Sequence, residues 1–152
     1  MREIRFYRPQ DPFGFLSNYF EYRFFLEGRK WQSVEHYYQA SKFSGTRLQE
    51  HIREIKRPGG ARAWAHSHRP LWRADWEAIK CKAMRRALLA KFGGSAFLAL
   101  ELLSTGDAVL IEDSPVDTFW GCGRDGQGQS MLGRLQMEVR EILRHDEEWM
   151  HD

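Results

Sequence analysis

Between Trp31 and Phe43 the chain reads Trp-Gln-Ser-Val-Glu-His-Tyr-Tyr-Gln-Ala-Ser-Lys-Phe, and a wheel of roughly 100° per residue gathers Trp31, Glu35, Tyr38, Gln39 and Lys42 on one helical face. A face turned wholly to water has little use for Trp and Tyr, and a core face has none for Glu, Gln and Lys together, so the mixture suggests a wet pocket wall able to do acid, base and amine chemistry. The plainer alternative is a solvated Glu35–Lys42 ion pair, with Trp31 merely ending a strand. A second amine, Lys80, projects from the apolar side of a helix predicted over 75–92, among Trp76, Ile79, Ala83, Met84, Ala87 and Leu88. Either its stem snorkels past Ala83 and Ala87 to a rim, or its ammonium enters a cavity where desolvation makes the amine a nucleophile or an anion partner.

The segment from Asp113 to Gln129 adds Asp117, Phe119, Trp120 and a set of glycines that includes Gly121 and Gly123, and it leads through Ser130 into a helix start. Such glycines let backbone amides approach a phosphate, the helix terminus favours negative charge, and an aromatic ring can stack on a base. A glycine-rich turn packed around a buried Trp accounts for the same residues, and Asp117 after Pro115 also suits turn closure.

Several elements must position these groups. Glu21–Trp31 reads as a β-hairpin turning at Glu27-Gly28. Ser33 caps the helix that carries Glu35 and Lys42. Further helices are expected over 47–55, ending before Pro58, over 59–66, over 75–92, and from Ser95 to a C-terminal Gly106. Val109-Leu110-Ile111 reads as a short buried strand. Ser130 is expected to cap a last helix with a stripe of Leu132, Leu135, Val139, Ile142 and Leu143. The sum is one mainly helical α+β domain over 1–152 with a small antiparallel β element.

The 152 residues, 42% hydrophobic and 14% aromatic, suffice for one compact core. A mean hydropathy of −0.62 and the lack of a long apolar run argue against a membrane span. The opening Met-Arg-Glu-Ile-Arg has no secretory pattern, so a soluble, cytoplasmic protein is expected. Cys81 and Cys122 form no metal-ligand or disulfide pattern, and His66 and His68 are spaced for neither one helical face nor a carboxylate neighbour, so no metal is indicated. The net charge of +2 hides a basic middle, eleven Lys/Arg against three Asp/Glu from Arg53 to Lys91, and an acidic end from Asp146 to Asp152. That middle suits a phosphate-bearing ligand or nucleic acid, and equally plain solubilising charge.

Placed in order, Phe13-Gly-Phe-Leu-Ser-Asn18, Trp31-Gln-Ser-Val-Glu-His36 with Lys42-Phe43, Trp76 with Lys80 and Met84, Lys91-Phe92, Thr105-Gly106, Ile111-Glu112, Ser114-Pro115 with Asp117, Trp120-Gly-Cys-Gly123, Leu132-Gly133 and Met137 with Arg140 resemble the NADAR superfamily, specifically its YbiA-like members. Ser130 stands where that family usually carries Asn. The resemblance implies an N-glycosidase, with no cofactor, that cleaves the bond between ribose C1 and an exocyclic amine. Its substrates are either phosphoribosylamino-pyrimidine intermediates of riboflavin synthesis or ADP-ribosylated guanine, with nucleic acid as a possible carrier.

Under that reading Glu35 orients water or sugar hydroxyls, and Asp117 is a second carboxylate or base-edge acceptor. Lys42 or Lys80 attacks a ring-opened imine to form a Schiff base, with direct hydrolysis as the alternative route. Trp31 and Trp120 sandwich the base, while Asn18, Gly121, Gly123 and Ser130 contact ribose or phosphate. Two other classes remain in play: a non-catalytic ADP-ribose or nucleotide reader, and a nucleic-acid-binding module working through the basic middle.

Overall fold

The structure, a computed structural model, describes residues 2–146. Most of the acidic end, residues 147–152, lies outside them. Two small sheets and six helices follow in the order β1 (Glu3–Phe6), β2 (Phe24–Leu26), β3 (Arg29–Trp31), α1 (Val34–Ser41), α2 (Leu48–Arg53), α3 (Pro58–Ser67), α4 (Trp76–Gly93), α5 (Ala96–Leu103), β4 (Val109–Glu112) and α6 (Met131–His145). The fold is α+β and mainly helical, as expected.

β2 and β3 form the antiparallel hairpin, with Phe24 opposite Trp31 and Leu26 opposite Arg29. Glu27 and Gly28 both adopt positive φ, 56° and 77°, the backbone that a two-residue turn needs to match strand twist. The second sheet was not foreseen. β1 and β4 pair in parallel, Glu3 opposite Val109 and Phe6 opposite Glu112, so the hairpin and five helices form the crossover between them.

Helix starts follow their caps. Ser33 Oγ accepts the His36 amide, Ser95 Oγ accepts the Leu98 amide, and Pro58 opens α3 where its missing N–H costs nothing. Gly106, at φ 63°, closes the segment after α5. α4 is the central helix and packs against α1, α5 and α6. It buries Trp76, Ala83, Met84, Ala87, Leu88, Lys91 and Phe92.

Two expectations about α6 change. Ile142 is 47% exposed, so the buried stripe is Leu132, Leu135, Val139 and Leu143. Ser130 makes no capping bond. It sits in the left-handed region at φ 47°, and its Oγ accepts the Glu112 amide at 3.3 Å, tying the end of β4 to the start of α6.

One buried lysine organises the floor beneath α1. Lys91 Nζ donates to the carbonyls of Phe15 at 2.7 Å and Ser17 at 3.2 Å, and Gln136 Nε2 donates to the Leu16 carbonyl between them. Burial pushes the Lys91 amine down to about 7. The turn so anchored carries Asn18 to the start of α1, where its carbonyl accepts the Glu35 amide at 3.1 Å.

Candidate active site

Glu35, Tyr38, Gln39 and Lys42 share one face of α1 and its C-terminal end, and all four are buried. Glu35 Oε1 accepts a 2.6 Å hydrogen bond from Gln39 Nε2, one turn along. Burial raises the Glu35 pKa above the ordinary carboxylate value; Gln39, Arg62 and Lys42 oppose that shift, and Asp117 adds to it. A carboxylate in the first turn of a helix is ordinarily favoured by the dipole, so desolvation is the stronger influence here.

Lys42 occupies an aromatic cage. Its Nζ lies 3.9 Å from the ring centre of Trp72, 5.3 Å from Tyr38 and 5.6 Å from Trp76. No carboxylate among the described residues comes within ion-pair distance of it. Burial lowers its pKa to about 8, with Arg62 and Arg69 pushing the same way and Glu35 opposing. About a tenth of Lys42 is therefore neutral amine at pH 7, far more than for an ordinary lysine, and this is the form that attacks carbon.

The cage continues outward. Tyr38 and Trp120 meet edge to face, centroids 5.5 Å apart, and Trp120 Nε1 donates to the Tyr38 hydroxyl at 3.0 Å. Phe119 packs on Trp120, and Lys80 Nζ lies 4.0 Å over the Phe119 ring. Lys80 thus borders this aromatic wall, but its amine is paired at 2.6 Å with Glu77, whose carboxylate is largely exposed. Of the two lysines considered, Lys42 has the surroundings of a nucleophile.

A cleft of about 350 Å³ is lined among others by Tyr7, Tyr19, Arg62, Glu112, Ser114 and Asp117, of which Arg62 and Asp117 are electrostatic neighbours of Glu35. Asp117 Oδ1 accepts the amides of Phe119 at 2.9 Å and Trp120 at 2.7 Å, the turn-closing geometry that was its plainer reading, and this fixes its carboxyl at the cleft. Glu112 ends β4. Burial, with Asp117 and Glu35 as like-charged neighbours, raises its pKa to about 8 against the pull of Arg62. Arg62 is exposed on α3 and makes no ion pair among the described residues. Electrostatic coupling therefore joins Lys42 to Glu35, and Glu35 to Arg62 and Asp117.

Several expected site residues stand elsewhere. Trp31 is 2% exposed, packs edge to face on Tyr37 at 5.0 Å and donates its N–H to the Leu26 carbonyl. It belongs to the hairpin core and does not sandwich anything with Trp120, because Tyr37 and Tyr38 leave α1 in directions about 100° apart. Gly121 and Gly123 serve the loop's own packing. A Cβ on Gly121 would meet Ser114 Cβ at 2.8 Å and the Asp117 carbonyl at 2.9 Å, and Gly123 has φ +72°. Ser130 bonds the Glu112 amide, as described. Asn18 is buried with Nδ2 on Met84 Sδ at 3.5 Å, and its Oδ1 meets no donor among the described residues. Its backbone, which holds Glu35, is what ties it to the site. Sequence reasoning missed Trp72, Arg62 and Glu112 as site residues; the only signals were an aromatic in the Arg-Pro-Leu-Trp segment, an arginine in the basic middle and a carboxylate closing a strand.

The arrangement brings acid, amine and indole groups from α1, α3, α4, β4 and the 113–129 loop into one region. The NADAR domain model matches residues 5–144. The chain is 40% identical over 141 residues to the N-glycosidase YbiA of Shigella sonnei, covering 92% of this chain and 88% of that protein. It is 41% identical over 140 residues to a riboflavin biosynthesis protein of Vibrio vulnificus, covering 92% of this chain and 38% of that longer protein. The NMR structure of the E. coli protein YbiA superposes with a TM-score of 0.86 at 38% identity, covering 95% of this chain and 87% of that one. The chain belongs to the NADAR family. Its relatives of similar length are N-glycosidases, which makes it a hydrolase of N-glycosyl bonds.

Proposed function

We propose that this protein hydrolyses the bond between ribose C1 and the exocyclic amine of a phosphoribosylamino-pyrimidine, an early riboflavin intermediate, through a Schiff base on Lys42. The observation that carries this reading is the Lys42 amine, caged by Trp72, Tyr38 and Trp76 without an ion-pair partner among the described residues and electrostatically coupled to the buried Glu35. A ribosylamine isomerises to an open-chain imine when its N–H proton moves to the ring oxygen. Lys42 Nζ then bonds to C1, the bond from C1 to the base nitrogen breaks with protonation of that nitrogen, and a lysine imine remains. Water adds to C1, releasing the sugar aldehyde and restoring the amine. Glu35 orients the sugar hydroxyls or the incoming water, Asp117 presents a second carboxylate at the cleft, and Arg62 faces the phosphate.

The substrate reading is supported by the name of the Vibrio relative and by the size of the cleft, about 350 Å³, which suits a ribose phosphate and one small ring. ADP-ribosylated guanine presents the same bond. Parallel incubation with both substrates and mass spectrometry of the products is the test: ribose 5-phosphate and free aminopyrimidine are expected. Release of ADP-ribose in preference would move the substrate assignment, and no release from either would overturn the reading.

A further inference from the structure

We propose that His66 and Arg69 join Arg62 in a subsite for the 5-phosphate of the sugar, grouped with Lys42 around the Trp72 ring. This rests on the glycosidase reading above and names the residues that select a sugar phosphate over the bare sugar.

The placement comes from neighbouring segments. Arg62 and His66 stand one turn apart on α3 and so share a face of it, and Arg69 opens the short 3-10 turn Arg69–Leu71 that follows. Trp72 comes next, and its Nε1 donates to the Ala65 carbonyl of α3 at 2.8 Å, which locks the indole to the helix. Around this one indole stand the Lys42 amine, 3.9 Å from the ring centre, the Arg69 guanidinium at 4.7 Å, and the His66 ring, edge to face, at 5.5 Å. Arg62 and Arg69 are electrostatic neighbours of both Lys42 and His66.

This cluster is short of negative charge. Arg62, His66 and Arg69 are exposed and make no ion pair or side-chain hydrogen bond among the described residues. Of the acidic neighbours of Lys42, Glu35 is pushed toward its neutral form and Glu77 is paired with Lys80. Like charges gathered without a counter-charge repel one another, and an anion relieves that repulsion. Phosphate suits these donors: a guanidinium laid on an indole keeps its N–H edge free for two oxygens, and Arg62 adds a second fork. Partial desolvation lowers His66 to about 4, with Lys42, Arg62 and Arg69 pushing the same way, so its neutral ring has one N–H to give to a phosphate oxygen. The reaction supplies the last constraint. Lys42 bonds C1, the phosphate hangs from C5 of the same short open chain, and Arg62 and Arg69 are the cations close enough to Lys42 to weigh on its amine.

The test titrates the wild-type protein with ribose 5-phosphate and, separately, with ribose at fixed salt and pH, reading the His66 ring by NMR and the affinity by calorimetry. Ribose 5-phosphate should shift the His66 resonances to saturation, and ribose should leave them in place. Arg62→Met and Arg69→Met should each weaken ribose 5-phosphate about tenfold or more while melting as the wild type does, since both side chains are exposed. No binding, binding that leaves His66 unmoved, or an affinity that both variants retain would overturn the subsite. ADP-ribose carries a diphosphate on the same carbon; weaker binding than ribose 5-phosphate is expected, and tighter binding would overturn the monoester in favour of a diphosphate. Kinetics keep this outcome apart from the glycosidase reading. The preference in kcat/KM for a phosphoribosylamine over its dephosphorylated form should fall about a hundredfold in the double variant Arg62→Met/Arg69→Met. Turnover with that preference unaltered would remove the subsite and leave the glycosidase, whereas ribose 5-phosphate bound at His66 without turnover of either form would keep the subsite and remove the glycosidase.

Discussion

At the scale of single residues the site is governed by desolvation, which moves an amine and a carboxyl toward their neutral forms from opposite sides. Burial takes Lys42 from 10.5 to about 8, so between those values the folded protein binds fewer protons than the unfolded chain and its stability rises with pH. Replacing this amine with an apolar chain of similar length removes a buried charge from an aromatic cage. Lys42→Met should therefore abolish turnover while melting at or above the wild-type temperature, as calorimetry and a product assay will show. Glu112 behaves with the opposite sign. Its value rises from 4.5 to about 8, so the folded protein holds a proton that the unfolded chain has lost, and this contribution to stability declines as pH climbs through that window. Glu112→Gln should gain on the wild type between pH 5 and pH 8, by about 2 kcal/mol after allowance for partial exposure, in paired urea melts. Glu35, Tyr38, Gln39 and Lys42 were legible because helical spacing alone puts them together. Trp31 was misread because it precedes the Ser33 cap and lies on a strand, where a helical wheel has no meaning. Trp72, Arg62 and Glu112 reach the same region from separate segments, and no local periodicity announces a contact of that kind.

Among the elements, those with strong local punctuation were legible: the Glu27-Gly28 hairpin, the Ser33 and Ser95 helix starts and the Gly106 stop. The parallel pairing of β1 with β4 was not. Glu3–Phe6 is a four-residue strand whose burial does alternate, yet so short a pattern gains meaning only from a partner more than a hundred residues away. That sheet holds the end of β4, and so Glu112, in place. α6 closes onto it through Gly133, where an added Cβ would lie 1.8 Å from the Leu110 carbonyl oxygen. Gly133→Ala should cost about 3 kcal/mol or more, because the obstacle is strand backbone that cannot swing aside as a side chain would. Chemical denaturation will measure it, and a near-neutral result would mean that α6 and β4 do not pack this closely.

Across the whole molecule, charge pairing changes the meaning of the basic middle. Arg53, Arg57, Arg73, Lys80, Arg85 and Arg86 all pair with carboxylates, and Lys91 is buried on carbonyls. Six of the eleven cations in that stretch are therefore paired, and Lys56, Arg62, Arg69 and Lys82 make no ion pair among the described residues; of these four, Arg62 lines the cleft. No helix among the described residues is long and apolar enough to cross a membrane. A protein that works through one cleft should respond mildly to salt: KM for the small substrate should change less than about threefold between 50 and 200 mM salt, whereas a binder using many backbone phosphates loses about a thousandfold or more. Steady-state assays across that range distinguish the two.

Under the proposed reaction, Lys42 is expected to become covalently joined to the sugar during turnover. Borohydride added to the working enzyme, followed by peptide mass spectrometry, should leave a reduced sugar adduct on Lys42 and none in Lys42→Met. Sustained turnover with no adduct, or an adduct on Lys80 instead, would contradict the account.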